Sequence, residues 1–477
     1  MSAFPVTSRN FRKNTAKAHA DENLRKALKR MESGAIVRRA AVVAELPEFD
    51  ALRDEALAIK NHVLGNLDFY LERFEAQVKA QGGHVHWCAT PRQARETILS
   101  ICQAVGARTA TKGKSMIAEE IALNPFLEEN GIEPVETDLG EYIIQLADEP
   151  PSHIIGPALH KTKEQVTELF HQHHRKYGRE ERVTDPQALV NEAREILRQK
   201  YIDADVGITG ANFLIAETGS TIIVTNEGNG DLTQMLPRVH VVITSIEKVV
   251  PTLEDVSTIL RVLARSATGQ EFSSYTTFST GPKRAGDLDG PEQFHVVLLD
   301  NGRSDLLGTE MQDLLRCIRC GACMNHCPVY HSVGGHAYGW VYPGPIGAAL
   351  DPHFLGIEEA QHLPNASTFC GRCESVCPMR IPLPDIMRHW RERAFESAVT
   401  PPQQRFGIRL WAWVAMRPAL YRAGARLAMR LLAWLGRREG RLSSLPFAGG
   451  WTAGRDLPAP QGRTFQELWA ARRGARK

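Results

Sequence analysis

The chain has 477 residues, more than one hydrophobic core usually supports, which predicts roughly two to four domains. Hydrophobic residues make up 43% and charged residues 23%, an ordinary composition for a soluble globular protein. Lys and Arg total 57 and Asp and Glu total 55, so the basic excess of a nucleic-acid-binding protein is missing. The N-terminal stretch lacks the apolar core of a signal peptide, and no run approaches the roughly 20 apolar residues of a membrane span. We therefore expect a cytoplasmic protein.

The first part of the chain is predicted to be helical. Residues 22–80 carry apolar side chains at steps of three and four, which favours helices, and we expect a helical segment over residues 1–70. Residues 83–90 then have the pattern of a strand, and Thr90 and Pro91 mark the start of a helix. Two cysteines in these elements are expected to pack in the core as small hydrophobic side chains, Cys88 and Cys102.

Apolar strands and helices alternate further along the chain. Residues 207–229 contain two β-rich runs joined by a turn with a glycine, and residues 239–246 form another predicted strand. A helix is predicted over 252–268 and a strand over 294–302. This alternation predicts an α/β domain with a mainly parallel sheet, which we place at residues 71–302. A further helix, predicted over residues 306–316, leads into a cysteine-rich segment.

Seven of the nine cysteines lie between Cys317 and Cys377. Residues 317–328 read CIRCGACMNHCP, the spacing with which bacterial ferredoxins hold one [4Fe–4S] cube through three cysteines and reach a second cube with the fourth. Residues 370–378 read CGRCESVCP and match that spacing from its second cysteine onward. Ser367 stands where the first cysteine of the second motif would be. A structural zinc site fits poorly, because it usually pairs two short knuckles in one closed tetrahedron.

If the last cysteine of each motif binds the cluster of the other motif, the seven thiolates are divided between two clusters. Clusters held in this way lie close enough together to pass single electrons. Cluster one is predicted to take Cys317, Cys320, Cys323 and Cys377. Cluster two is predicted to take Cys327, Cys370 and Cys373, and it lacks a fourth thiolate. Ser367 could bind through its oxygen, a remote residue could supply the ligand, or one iron could be open. We favour an open or weakly bound iron.

These motifs, placed behind an α/β domain, resemble the lactate-utilisation iron–sulfur protein family of the LutB/LldF/YkgF type, in which the cysteine pattern is also four plus three. The resemblance covers nearly the whole chain and includes TKGKSMIAEEIALN (111–124), GITGANFLIAETGSTIIVTNEGNGD (207–231) and WTAGRDLPAPQGRTFQELW (451–469). It implies an α/β domain like those of NagB, RpiA and the CoA-transferases. A mostly helical, ferredoxin-like domain with two [4Fe–4S] clusters is expected over 303–398, and a helical C-terminal region over 399–477.

The resemblance also implies a function. A protein of this family is expected to be the electron-transfer subunit of a complex that oxidises L-lactate to pyruvate, and not the lactate-binding catalyst by itself. The implied partners are a cysteine-rich subunit like those of heterodisulfide reductase and a small α/β lactate-utilisation subunit. Two other functions are kept as alternatives. One is an α/β enzyme of CoA-transferase-like type whose own redox substrate is served by the clusters. The other is an assembly scaffold stabilised by its clusters.

Two weaker motifs lie in the α/β region. The run from Lys112 to Ser115 is similar to the end of a phosphate-binding loop, but Arg108 stands where that loop needs a glycine, so we expect a turn into a helix. Glu217 is a weak candidate for a nucleophile, because CoA-transferase-like enzymes use a glutamate of this kind. The alternative for the ETGS run is a hairpin turn in which Gly219 has a positive φ.

Several histidines are also candidate site residues. His171, His173 and His174 are expected on a solvated helix face, and the same is expected of His153, His160 and His326.

Residues 405–438 mix arginines with Trp, Leu and Met at helical spacing, and Pro418 should divide them into two helices. Such a basic amphipathic region could pack on a partner or within the chain, or contact the inner face of a membrane.

Overall fold

The computed structural model describes residues 5–445, 448–452 and 454–474. The chain forms two compact units, of which the first ends at Ala394 and the second begins at Phe395. Within the described ranges, each helix is too short or too polar to cross a lipid bilayer.

Five α-helices follow a short 3₁₀ turn at the start of the first unit, and four of them lie within residues 22–80, which the apolar spacing predicted to be helical. They are α1 Phe11–Ala20, α2 Glu22–Ser33, α3 Ala35–Ala44, α4 Phe49–Leu64 and α5 Leu67–Ala80. The Asp21 carboxylate starts α2 by accepting hydrogen bonds from the first free backbone N–H groups. The buried face of α4 includes two cations, Arg53 and Lys60, among its apolar residues. Both of these cations have partners in the later, functional part of the unit.

The predicted α/β domain is confirmed, and its main sheet is entirely parallel. Its strands are β1 His84–Cys88, β2 Thr109–Lys112, β3 Glu133–Glu136, β4 Val206–Thr209, β5 Phe213–Ile215, β6 Ser220–Thr225, β7 Val239–Ser245, β8 Val249–Val250, β9 Tyr275–Ser279 and β10 Gln293–Leu299. The six-stranded main sheet has the order β1-β10-β7-β4-β2-β3. Parallel strands need helical crossovers that cover the faces of the sheet, and the inner strands β4, β7 and β10 are buried along almost their whole length.

Four strands form a second sheet in the order β8-β5-β6-β9. The β-rich run at 207–229 therefore divides between two sheets, because β4 joins the main sheet while β5 and β6 form an antiparallel hairpin. Gly219 has a φ of +71° in the turn of this hairpin, as the hairpin interpretation of the ETGS run requires. A Cβ at Gly219 would lie 2.5 Å from the backbone nitrogen of Val78, so close packing on α5 also favours glycine there.

Helices connect the strands of the α/β domain. They are α6 Pro91–Ala104, α7 Met116–Glu120, α8 Leu123–Glu129, α9 Leu139–Leu146, α10 Lys163–His173, α11 Pro186–Ile202, α12 Asn229–Met235 and α13 Leu253–Ala267. Thr90 forms a capping box with Gln93 at the start of α6, where the sequence predicted it. Cys88 and Cys102 are both buried in the core that joins α6 to the sheet, as expected.

The cysteine-rich segment consists of short helices. They are α14 Ala322–Asn325, α15 Pro328–Val333, α16 Gly344–Phe354, α17 Ile357–Ala360, α18 His362–Asn365, α19 Arg372–Ser375 and α20 Leu383–Glu396. The helix predicted over residues 306–316 is wrong. Two short 3₁₀ turns, Ser304–Leu306 and Gln312–Arg316, flank a loop in which Gly308 has a φ of +70°.

The second unit is largely helical. It contains α21 Pro402–Ala415, α22 Pro418–Gly436, β11 Arg441–Leu442, α23 Gly449–Thr452, β12 Leu457–Pro458 and α24 Phe465–Gly474. Pro418 begins α22 at its first position, which confirms the predicted division of the basic tail into two helices. The apolar side chains of α21 and α22 are widely exposed, and Trp411 and Trp434 retain 65% and 61% exposure.

Candidate metal centres

Two cavities lie in the cysteine-rich segment, and each draws cysteines from both motifs. The first is lined by Cys317, Cys320, Cys323 and Cys377. The second is lined by Cys327, Cys370 and Cys373. The remaining walls of the first cavity are mainly apolar, with Ile154, Ile346, Met379, Ile381 and Leu383 among them. Cys377 therefore joins the first motif, and Cys327 joins the second.

The two cysteine loops have the same backbone geometry. In the first loop, Arg319 and Gly321 on either side of Cys320 have φ values of +59° and +73°. In the second loop, Phe369 and Gly371 on either side of Cys370 have φ values of +54° and +74°. Glycine takes this left-handed conformation without steric cost, while arginine and phenylalanine do not. The two loops therefore wrap their cavities in the same way.

The two loops are also equivalent at Ser367, where the second motif lacks a cysteine. Cys317 Sγ accepts a hydrogen bond of 3.4 Å from the backbone N–H of Arg319. Ser367 Oγ accepts the corresponding bond, 3.1 Å long, from the N–H of Phe369. Ser367 also lines the second cavity. The serine hydroxyl therefore occupies the place that a fourth thiol would have.

Thiols of the first motif raise the pKa of thiols in the second motif. Burial, followed by the neighbouring Cys327, raises the pKa of the Cys373 thiol to about 12. Burial also raises the pKa of Cys377 to about 11, and Cys317 contributes to that shift. Exposed Cys370 differs, because the backbone N–H of Arg372 lowers the pKa of its thiol. A cationic centre is needed to hold the buried sulfurs as thiolates, and its binding would release protons.

The cysteine sulfurs are too far apart for one ion. Four thiolates around a single zinc ion would lie about 3.8 Å from one another, given zinc–sulfur bonds of about 2.3 Å. In the described part of the chain, the groups of three or more His, Cys, Asp or Glu residues whose ligand atoms all lie within 4.8 Å of one another are Glu149, His160, His336 and Glu119, Glu136, Glu141. Neither group contains a cysteine. The spacing thus suits a polynuclear centre, and an all-thiol donor set suits iron and sulfide.

Comparisons with known proteins agree with this geometry. Residues 71–299 match the LUD domain, residues 313–381 a 4Fe-4S dicluster domain, and residues 394–474 the C-terminal region of lactate utilisation protein B. Lactate utilization protein B of Geobacillus kaustophilus is 44% identical over 452 residues, which are 94% of each chain. The chain belongs to the lactate utilization protein B family.

Two further relatives have similar coverage. Lactate utilization protein B of Bacillus subtilis is 41% identical over 478 residues and 98% of each chain. A protein of Escherichia coli named uncharacterized electron transport protein YkgF is 40% identical over 464 residues, 97% of this chain and 96% of the relative. The predicted family is therefore confirmed. The dicluster match also confirms the predicted cofactors, two [4Fe–4S] clusters.

In this member of the lactate utilization protein B family, a buried charge network adjoins the first cavity. The Lys248 ammonium lies 3.4 Å from the carbonyl oxygen of Cys317. The Arg303 guanidinium pairs with both carboxylate oxygens of Glu120, at 3.0 and 2.6 Å, and contacts Glu247 at 3.2 Å. Arg303, with the neighbouring cations, holds the pKa of Glu247 near 2 against the opposing effect of burial. The first cavity therefore adjoins fixed charges that bulk water does not screen.

The N-terminal helices also contact the cluster segment. Arg53 of α4 donates hydrogen bonds to the carbonyl oxygens of Ser375 and Cys377. Arg39 of α3 donates to the carbonyl oxygen of Val376, 3.1 Å away. Sequence reasoning did not identify these arginines. The sequence signal that could have identified Arg53 is its position, because it interrupts the apolar face of an amphipathic helix.

The family member has a second polar site at the carboxyl edge of its parallel sheet, where ligands of α/β folds usually bind. Lys112 ends β2 and Glu136 ends the neighbouring β3, and the lysine ammonium lies 2.8 Å from that carboxylate. Glu119 lies 2.9 Å from the same ammonium. Lys112 is fully buried, and the residues after it lead into α7, where Ser115 caps the helix, as the predicted turn into a helix requires.

The weak nucleophile candidate has a different environment. Glu217 is exposed in the turn between β5 and β6. Its carboxylate accepts a hydrogen bond of 3.3 Å from the backbone N–H of Leu253, at the start of α13. It lies neither at the Lys112 site nor along either cysteine cavity. A nucleophilic role for Glu217 stays a prediction.

The histidines are less exposed than expected. His174 is fully buried and contacts Glu192 and Tyr142, so its assignment to a solvated face is wrong. His153 and His326 are also buried, and His153 lies 3.1 Å from the side-chain oxygen of Asn325. Helical spacing did not reveal this burial, because the covering residues come from distant parts of the chain.

Proposed function

We propose that the protein is the iron–sulfur electron-transfer subunit of a complex that oxidises L-lactate to pyruvate. The supporting observation is the exchange of cysteines between the two cavities, with Cys377 in the first and Cys327 in the second. Clusters held by the same two loops lie close together, which suits the transfer of single electrons between them. The printed names of the relatives, lactate utilization and electron transport, support lactate as the source of these electrons.

We propose the same ligands that the motif spacing predicted. Cluster one is held by Cys317, Cys320, Cys323 and Cys377, and cluster two by Cys327, Cys370 and Cys373. The position of Ser367 supports a weak oxygen ligand to the fourth iron of cluster two, because its hydroxyl is placed as Cys317 Sγ is. Cys370 and Thr368 are exposed, so electrons would exchange with a partner most directly at cluster two.

A further proposal concerns architecture and surroundings. We propose a helical segment over 1–70, a NagB/RpiA/CoA-transferase-like domain over 71–302, a ferredoxin-like domain over 303–398 and a basic amphipathic region over 399–477. The implied partners are the heterodisulfide-reductase-like subunit and the small α/β subunit. A reducing cytoplasm suits a protein with seven cluster thiolates.

The exposed tryptophans of α21 and α22 are proposed to pack on a partner, with contact to the inner membrane face as the alternative. Replacing both Trp411 and Trp434 by Ser should reduce recovery of the partners in anaerobic co-purification. Flotation of the native protein with anionic liposomes at low salt separates the alternatives. Flotation that these substitutions abolish, with unchanged partner recovery, would favour the membrane.

One observation favours an alternative function, an α/β enzyme whose electrons the clusters only relay. The Lys112 site combines a buried ammonium with two carboxylates at the sheet edge where α/β enzymes bind ligands. Burial raises the pKa of Glu136 and of Glu141 beside it, as in many catalytic sites. Ordinary ion pairing in the protein interior accounts for the same contacts, so this function comes second.

Anaerobic reduction by lactate tests the proposal. The holoprotein, with its clusters oxidised, would be mixed with L-lactate alone and then with the co-purified partners, while visible absorbance is recorded. We expect bleaching only with the partners present, and none with D-lactate. Bleaching by L-lactate without partners would favour the intrinsic enzyme. Clusters that neither lactate with partners nor dithionite can reduce would indicate a scaffold.

A further inference from the structure

Glu149, His160 and His336 form a group outside the cysteine cavities. One carboxylate oxygen and one nitrogen from each imidazole all lie within 4.8 Å of one another. Glu149 and His160 belong to the loop between α9 and α10, while His336 belongs to the 3₁₀ helix His336–Tyr338 that follows α15. The α/β domain and the cysteine-rich segment therefore both contribute side chains to this group. The electron-transfer proposal does not use these residues.

Hydrogen bonds fix the direction of both imidazoles. The Ser152 hydroxyl lies 2.9 Å from the carbonyl oxygen of Pro157 and 2.7 Å from His160 Nδ1, so it ties the His160 ring to the backbone. His336 Nε2 is 2.8 Å from the carbonyl oxygen of Pro150, which can only accept. Each ring is thus held through one nitrogen by a backbone-anchored oxygen. Histidines that bind metals are usually oriented in this way, with the other nitrogen left for the ion.

The contact between His160 and Glu149 has room for one shared proton or cation. His160 Nε2 lies 2.7 Å from Glu149 Oε2. Two lone pairs at that distance repel unless a proton or a metal ion lies between them. Lys161 neutralises the other oxygen, Oε1, from 2.5 Å. Oε2 is therefore the oxygen available to a cation shared with the two imidazoles.

We propose that Glu149, His160 and His336 bind one divalent transition-metal ion. Two imidazoles and a carboxylate are a donor set of zinc enzymes and of non-haem iron sites, and three protein ligands leave positions for water or a small anion. The group opens into a half-open cavity of about 330 Å³ with Asn14, Lys17, Asp21, Lys161 and Gln165 among its polar walls. The two lysines and the two side-chain amides suit a small carboxylate as the added ligand.

The site adjoins cluster two. The Tyr330 hydroxyl donates a hydrogen bond of 2.7 Å to the carbonyl oxygen of Ser152, the residue that orients His160. The backbone N–H of the same tyrosine lies 3.5 Å from Cys327 Sγ. Tyr338, at the other end of the short helix that carries His336, lines the cavity of cluster two. Tyr330 and Tyr338 therefore connect the proposed ion site to the cavity of cluster two.

Manganese binding tests the site. The anaerobic holoprotein with oxidised, EPR-silent clusters would be titrated with Mn²⁺, while the six-line EPR signal of the free ion is followed. We expect one Mn²⁺ bound per chain, displaced by one Zn²⁺. His160→Gln and His336→Gln should each weaken binding by about tenfold or more. His173→Gln, at a half-buried histidine outside the group, is the matched control and should bind as the native protein does.

Iron and sulfide analysis shows whether each variant keeps its clusters. His336 is an exposed side chain, so its substitution should not disturb the core. The inference is overturned if the native protein binds no Mn²⁺ or Zn²⁺, or if both histidine variants with full cluster content bind them as tightly as the native protein. The group would then be a network in which Glu149 is hydrogen-bonded to His160 and ion-paired with Lys161. Either result leaves the test by lactate reduction unaffected.

Discussion

Arg53 donates two hydrogen bonds, of 3.1 and 2.7 Å, to the carbonyl oxygen of Cys377. A third bond, 3.0 Å long, reaches the carbonyl oxygen of Ser375. The guanidinium is buried and is also paired with the Asp50 carboxylate. An N-terminal helix thus holds the loop that places Cys377 in the first cavity, more than 300 residues along the chain.

Replacing Arg53 by Met should weaken cluster one. The substitution keeps an apolar stem in the core but removes the guanidinium from both carbonyl oxygens, so that the Cys377 oxygen keeps only the N–H of Arg380, at a cost of about 1–3 kcal/mol in the free energy of unfolding. Loss of iron to a chelator under anaerobic conditions should be faster, and denaturant unfolding should show the lower stability. Arg73→Met, at an exposed position on α5, is the control. Equal iron loss in both variants would exclude a supporting role for Arg53.

Replacing Ser367 by Cys should complete the ligands of cluster two. Ser367 Oγ is placed like Cys317 Sγ, so a thiolate there needs little movement of the backbone. We expect slower loss of iron in air and a changed EPR spectrum of the reduced cluster two. Ser332→Cys, at an exposed serine outside the cavity of cluster two, is the matched control. Native spectra and native air sensitivity in Ser367→Cys would show that the fourth position already has a strong ligand.

Replacing Lys248 by Met should lower the midpoint potential of cluster one. The buried ammonium beside Cys317 favours the additional electron of the reduced cluster. Loss of one such charge should shift the potential by about 50–100 mV to more negative values, given an effective dielectric constant of about 20. Anaerobic redox titration followed by EPR measures the shift. Lys163→Met, at an exposed lysine, should leave the potential unchanged, and an equal shift in both variants would contradict the argument.

Acid should destabilise the α/β domain through His240. This histidine is buried in β7, and burial lowers its pKa to about 3, with a contribution from His295. The unfolded chain binds its proton near pH 6.5, so the stabilisation is complete above that pH and is lost as the pH falls toward about 3. Between pH 7 and 5.5 this histidine alone should account for about 1 kcal/mol of lost stability.

His240→Gln tests that pH dependence. The glutamine amide can keep a hydrogen bond to Thr209, whose hydroxyl lies 2.8 Å from His240 Nε2. Anaerobic urea unfolding at pH 7 and 5.5, followed by circular dichroism, should give a smaller difference for the variant than for the native protein. The same substitution at exposed His19 should preserve the native difference. A native difference in His240→Gln would assign the acid sensitivity to other groups.

Local patterns carried much of the fold. Helical spacing identified the N-terminal helices and the two helices of the tail, and the alternation of strands and helices identified a parallel sheet. These features follow from the periodicity of a few neighbouring residues. The helix predicted over 306–316 failed, because the turn at Gly308 interrupts it and Met311, Leu314 and Leu315 pack into the core from short 3₁₀ turns.

By itself, the sequence determined the pair of cysteine loops and the iron–sulfur chemistry, because two- and three-residue gaps between thiols are a local property that survives in any fold. Only the tertiary structure decided what surrounds them. Arg53, Lys248 and the three residues of the proposed metal site come from segments far apart in the chain, and each segment alone has an ordinary amphipathic or loop pattern. A buried charge is stabilised by whichever partner the packed core brings to it, and packing depends on contacts that no local spacing encodes.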